Sequence, residues 1–166
     1  MSYQPDGPFV LGSGKRKGQA LEVLMFQDYT WIRWMYCFLQ RKFSYKQNRF
    51  HRHLKWLLEK GENRKTKALC FHCGKREVDF FSVLYSKNGN DFSIGIRYTC
   101  CKDNACISRI RKMAIEKIPV FLPFKFSVLS QFSLKADKKR IIVLFKKVFN
   151  LPQKIDRKTA FDFFNE

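Results

Sequence analysis

The chain has 166 residues, 45% of them hydrophobic and 18 of them phenylalanine, enough to bury a core and to exclude wholesale disorder. Lys and Arg total 33 against 14 Asp and Glu, a net charge of +19 whose self-repulsion a polyanionic partner would relieve. No apolar run approaches the ~20 residues that span a bilayer, which excludes a transmembrane helix from the expected elements.

The first residues, with Pro5, Gly7 and Pro8, read as a loose leader without a charged and apolar secretory signal. A glycine-punctuated stretch follows, then a short helix predicted over Gln19–Phe26. Asp28 is placed to cap a stronger helix running to Lys42, with Trp31, Trp34, Met35, Phe38 and the stem of Lys42 on one face. A second helix is predicted from Tyr45 to Lys60, stopped by Gly61. Its apolar stripe is Phe50, Leu54, Leu57 and Leu58, and its other side carries Lys46, Arg49, Arg52 and Lys55. A polar linker, 61–69, leads into the cysteine region.

From Glu77 to Cys101 the apolar residues alternate along two strands, with Lys87-Asn88-Gly89-Asn90 as the turn of a β-hairpin. A helix is expected from Asp103–Ala105 to Lys117, ended by Ile118-Pro119. Residues 119–135 are apolar but interrupted by Pro119 and Pro123, and their pattern assigns no element. Asp137 to Leu151 reads as a helix stopped by Pro152, and Asp156 caps a last short helix bearing Ala160, Phe161 and Phe164. The predicted fold class is α+β: a small helical N-terminal lobe (1–62), a zinc finger built on a hairpin and a helix (63–118), and a C-terminal helical extension (119–166).

Cys70-Phe71-His72-Cys73-Gly74 is a CxxC knuckle, whose spacing lets both sulfurs reach one tetrahedral ion. The second half is Cys100-Cys101, then Cys106 where the hairpin gives way to a helix. A ligand on the first helical turn is favoured because the dipole there stabilises thiolate. The expected ligands are Cys70, Cys73, Cys106 and one of the adjacent pair. Strand alternation sets Cys100 with Tyr98 and Ile96, whereas Cys101 gives the tighter loop to Cys106 and is the expected third ligand. The alternative is a set of buried or redox thiols. Clustered cysteines without a secretory signal favour metal over disulfide and a cytoplasmic location, or the host cytoplasm for a viral protein. Four thiolates fill the coordination sphere of one zinc ion, which makes the expected site structural.

The order knuckle, hairpin, helix with the last ligand is that of a treble-clef finger. The segment from Tyr98 to Arg109 also resembles the second half of TRASH/MYM-type fingers, with wider ligand spacing. Upstream, Gly14-Lys15-Arg16-Lys17-Gly18 and Asp28-Tyr29-Thr30-Trp31-Ile32-Arg33-Trp34 together resemble the exodeoxyribonuclease X-like C-terminal domain. That family has a Gly-Lys-aromatic-Lys-Gly turn, a short helix and an Asp-Pro-x-Tyr-x-x-Trp segment. Here Arg16 replaces the turn aromatic, Tyr29 the proline and Trp31 the tyrosine. The resemblance covers residues 9–40 and implies an accessory nucleic-acid-binding element, with Lys15, Arg16 and Lys17 on an exposed turn. A solvated turn without a ligand is the plainer reading of the same residues.

The basic side chains are spread over the chain, 14 against 5 acidic ones in 1–69, 9 against 5 in 70–118 and 10 against 4 in 119–166. Nucleic acid is therefore the first candidate partner, and an anionic membrane surface the second. The expected phosphate contacts are the Lys15–Lys17 turn, Arg49, Arg52 and Lys55, with Lys75, Arg76, Arg109, Arg111 and Lys112 from the finger. The acids form no recognisable magnesium-binding cluster, and the His-rich signature of HNH nucleases is missing, so an enzyme is not expected. The competing class is a zinc-built protein–protein adaptor, for example a phage or mobile-element factor acting on a host complex.

Overall fold

The structure is a computed structural model and describes residues 3–41, 48–88, 91–114 and 117–166. It is a mixed helix and sheet fold of two compact units, one made of 1–64 with 154–166 and the other of 65–153. The expected C-terminal extension is thus divided between them, 119–153 in the second unit and 154–166 in the first.

In the first unit, an antiparallel bridge between Val10 and Ala20 closes a turn in which Gly18 N–H donates to Leu11 O at 2.8 Å. Helices α1 (Leu21–Gln27), α2 (Tyr29–Gln40), α3 (Arg49–Asn63) and α6 (Arg157–Asn165) follow. Asp28 caps α2, accepting from Trp31 N–H at 3.2 Å, and Asp156 caps α6, accepting from Thr159 N–H at 2.8 Å. The start predicted for α3, Tyr45, lies outside the described residues. Gly61 does not stop α3: it is buried, and the helix runs on to Asn63, whose amide donates to Glu59 O at 2.9 Å.

The largest departure from expectation is on α2. Its buried residues are Tyr29, Ile32 and Leu39, while Trp34 is 55% and Phe38 40% exposed. Of the face predicted from periodicity, Trp34 and Phe38 point outward and Trp31 and Met35 are half-buried, while Lys42 lies outside the described residues. The core is instead aliphatic and phenylalanine-rich, with Leu21, Leu24, Met25, Leu54, Leu57, Phe161 and Phe164 at its centre. Phe26 of α1 packs on Phe163 and Phe164 of α6, which brings the chain's last helix back to this unit.

One polar pair lies inside that core. His53 Nε2 donates to Glu22 Oε1 at 2.6 Å, Tyr3 O–H donates to His53 Nδ1 at 3.1 Å, and Phe9 N–H donates to the same carboxylate at 3.2 Å. Both side chains are 1% exposed or less. Glu22→Leu would leave the buried His53 Nε2–H and the part-buried Phe9 N–H without an acceptor, and breaking a buried pair in this way costs about 3–5 kcal/mol. Urea unfolding followed by tryptophan emission should register the loss, because Trp31, Trp34 and Trp56 all lie in this unit.

The second unit holds a three-stranded antiparallel sheet of β1 (Phe80–Asn88), β2 (Asp91–Cys100) and β3 (Val120–Pro123), in the order β2-β1-β3. The hairpin register pairs Phe80 with Cys100 and Val83 with Ile96, with a bulge between Phe81 and Val83 where Ser82 Oγ accepts from Tyr98 N–H at 3.0 Å. Gly89 and Asn90 of the predicted turn lie outside the described residues. The unassigned proline-broken stretch forms β3 and a 3-10 helix, Phe126–Gln131. Proline is tolerated in β3 because it is an edge strand and Pro123 is its last residue.

Helix α4 (Asn104–Met113) ends short of the predicted Lys117, because Ala114 turns extended and its N–H closes back on Arg111 O at 3.2 Å. Helix α5 (Lys135–Val148) starts ahead of the predicted Asp137 and ends short of the predicted Leu151. It stops at Asn150, which adopts φ 55, with Asn150 N–H donating to Lys147 O and Leu151 N–H to Lys146 O. That double closure is a Schellman cap, so the stop precedes Pro152. At the open edge of β2, Asp137 Oδ1 accepts from Ile94 N–H at 3.4 Å and Arg140 donates to Ile94 O at 2.9 Å. These contacts satisfy backbone groups that an edge strand leaves exposed. Phe81, Phe124, Phe126 and Phe145 form the core, with ring centroids 5.1–6.1 Å apart. No helix among the described residues is long and apolar enough to cross a membrane.

Candidate metal centre

The knuckle is closed by two backbone bonds, Gly74 N–H to Cys70 O at 2.9 Å and Cys70 N–H to Arg76 O at 2.8 Å. Gly74 sits at φ 61, a conformation glycine adopts without the steric cost of a side chain. Phe71 N–H donates to Thr99 O at 3.0 Å, which holds the knuckle against the end of β2. On the other side, Asp79 Oδ2 accepts from Lys102 N–H, and Asp103 caps α4 by accepting from Ala105 N–H, both at 2.8 Å. Arg76 pairs with Asp103, a further tie between the two halves. Cys106 lies in the first turn of α4.

These restraints bring the sulfurs of Cys70, Cys73, Cys101 and Cys106 within 4.8 Å of one another. A tetrahedral ion with ~2.3 Å bonds to sulfur holds its ligands about 3.8 Å apart, so the four can hold a metal ion after small side-chain adjustments. Cys100, the last residue of β2, is buried opposite Phe80 and is not in the cluster. Of the adjacent cysteines it is Cys101, the expected one, that joins the cluster.

The electrostatics divide the four sulfurs. Burial would raise the Cys70 thiol, but backbone N–H groups of Cys73, Cys101 and His72 outweigh it and hold it below the usual thiol value. The N–H groups of Lys75 and Arg76 lower Cys73 to about 6. Burial pushes Cys106 up to about 12 and raises Cys101 as well. Cys100, also at about 12 through burial, gains no amide donor that would favour thiolate. The knuckle is thus prepared for anionic sulfur, and a cation is what would draw the other pair to the same state.

The predicted phosphate contacts divide between the units. In the first, Lys15 and Lys17 are exposed on the turn, where Gly14 and Gly18 have φ 77 and 81. Arg16 turns back: it pairs with Asp28 and lies over the Trp31 ring, 4.9 Å from the centroid. Arg49, Arg52 and Lys55 are exposed along α3, with Lys55 3.7 Å from Glu59. A cleft of about 690 Å³ opens beside them, bordered by Tyr3, Gln4, Arg52, Lys55 and Lys60. In the second unit Lys75, Arg109, Arg111 and Lys112 are exposed, and Arg76 is exposed but paired with Asp103. Periodicity did not foretell the outward Trp34 and Phe38, because aromatic residues at helical spacing are ordinarily core.

No family model, no curated protein and no solved structure matches the chain.

Proposed function

We propose that the chain is a small basic zinc-stabilised protein that binds nucleic acid, chiefly through the phosphates of DNA or structured RNA. The observation that carries this reading is the exposure of Lys15, Lys17, Arg49, Arg52, Lys75, Arg109 and Lys112 in a chain of net charge +19. Zinc is the metal that a closed set of four thiolates favours, and four protein ligands leave no position for a catalytic water. The knuckle, hairpin and helix make a treble-clef-like finger whose last helix also carries Arg109, Arg111 and Lys112. The resemblance of residues 9–40 to the exodeoxyribonuclease X-like C-terminal domain supports an accessory role, without nuclease chemistry of its own.

A protein–protein adaptor is the second reading, favoured by Leu69 and Phe71, which are 56% and 58% exposed at the knuckle. A pull-down of the zinc-loaded protein from lysate, with and without nuclease, separates the two. A phosphate binder should lose its partners on nuclease treatment and at high salt, whereas partners retained through both would establish the adaptor.

A further inference from the structure

We infer that the outward face of α2 is a base-stacking platform for single-stranded nucleic acid. This rests on the nucleic-acid reading above and adds a contact that phosphate-binding cations do not supply. Trp34 and Phe38 stack with ring centroids 5.5 Å apart and planes 19° from parallel. Trp34 stays 55% exposed even with Phe38 stacked against it, so much of the indole remains accessible. A Trp left outward at such exposure forgoes a large burial gain that the adjoining core would otherwise supply.

The surroundings of this face favour an anionic occupant. Arg16 lies over Trp31, one turn before Trp34. Arg41 caps the helix in helical conformation and is exposed, three residues past Phe38 and seven past Trp34, which sets it on the same side. The stripe from Trp31 to Arg41 is therefore about 15 Å long, with exposed Arg41 at its C-terminal end and Arg16, already paired with Asp28, at the other. Asp28, the helix cap, is taken up by Arg16, and from Tyr29 to Leu58 the sequence carries seven Lys and Arg and no further acid. Flat aromatic faces flanked by cations bind unpaired bases, since every base has a π-face and a phosphate beside it. Duplex DNA, whose bases are already stacked on one another, cannot use the platform.

The test uses the full zinc-loaded chain, a fluorescein-labelled 12-nucleotide oligo-dT and a 12-base-pair duplex, read by anisotropy at fixed salt. Wild type should bind the single strand and quench its own tryptophan emission. Trp34→Ala should weaken oligo-dT binding about 5- to 150-fold, the range for loss of one base stack. It should leave the duplex affinity and its salt dependence unchanged. Phe38→Ala should weaken the same interaction, and Trp34→Phe, which keeps a flat ring, should restore most of it while removing the quenched emission. Trp34 is exposed, so circular dichroism should report an unchanged fold. Salt-sensitive binding of both probes that Trp34→Ala does not alter would overturn the platform and leave the phosphate reading standing. No binding of wild type to either probe, or to a structured RNA, would overturn both. Tryptophan quenching by phosphatidylserine vesicles but not by oligo-dT would also overturn the platform, and would assign the face to an anionic membrane surface.

Discussion

Purified protein is expected to contain about one zinc per chain, and removing it should unfold the knuckle and α4. Structural zinc in small fingers contributes on the order of 10–16 kcal/mol to folding, comparable to or larger than the ~5–15 kcal/mol net stability of an ordinary domain. The local structure explains the dependence. The knuckle is held to the sheet by single backbone bonds such as Phe71 N–H to Thr99 O, and Cys106 is one of only two buried residues on α4, with Ile110. The phenylalanine core under α5 buries its own surface and does not contain the four sulfurs. Chelation should therefore raise hydrogen exchange most at 70–78 and 101–113. Cys73→Ser and Cys101→Ser should both lose the metal, while Cys100→Ser and Cys37→Ser keep it. Acid should release the ion, because protons compete for the same thiolates. Elemental analysis decides the identity of the metal: iron in place of zinc would keep the site and change the ion. Metal-free protein with unchanged exchange in these two segments would end the metal reading.

The metal cluster was legible in the sequence because metal ligation depends on few residues at fixed spacing. Cys70-x-x-Cys73 and Cys106 at a helix start are local signals, and the hairpin between them needs only alternation. The tighter loop to Cys106 already favoured Cys101, and the register gives the reason: Cys100 stays opposite Phe80, and Cys101 is the first residue free to turn. Helix α2, by contrast, misled. It carries two apolar stripes of equal periodicity, Trp31, Trp34 and Phe38 on one side and Tyr29, Ile32, Tyr36 and Leu39 on the other. Sequence spacing cannot rank them, and the fold buries Tyr29, Ile32 and Leu39 of the second. Strand β3 escaped notice because four residues ending in proline are too short for a pattern, and only pairing with β1 makes them a strand. The Glu22–His53 pair was hidden too, since 31 residues separate two side chains that each look like ordinary surface groups.

Binding to nucleic acid should weaken steeply with salt, by about 10²- to 10⁴-fold between 50 and 200 mM. The figure follows from ~4–8 neutralised phosphates and a slope of about −0.9 in log K against log salt for each on duplex DNA. The ion pairs refine which residues set that slope. Arg16 is held by Asp28 and Arg76 by Asp103, and a phosphate must displace those carboxylates before it gains either cation. Lys15 and Lys17 are exposed on the same turn as Arg16. Lys15→Ala with Lys17→Ala should thus make the slope shallower by about 1–2 and weaken binding to all sequences alike. Arg16→Ala should act differently. It frees Asp28 and uncovers Trp31, so it should loosen the turn while changing the slope little. A double variant that binds with the wild-type slope would make the glycine-flanked turn a solvated tip. Wild-type protein that binds no DNA or RNA in a salt-sensitive way would remove the nucleic-acid reading altogether, and the exposed Leu69 and Phe71 would then become the surface to follow.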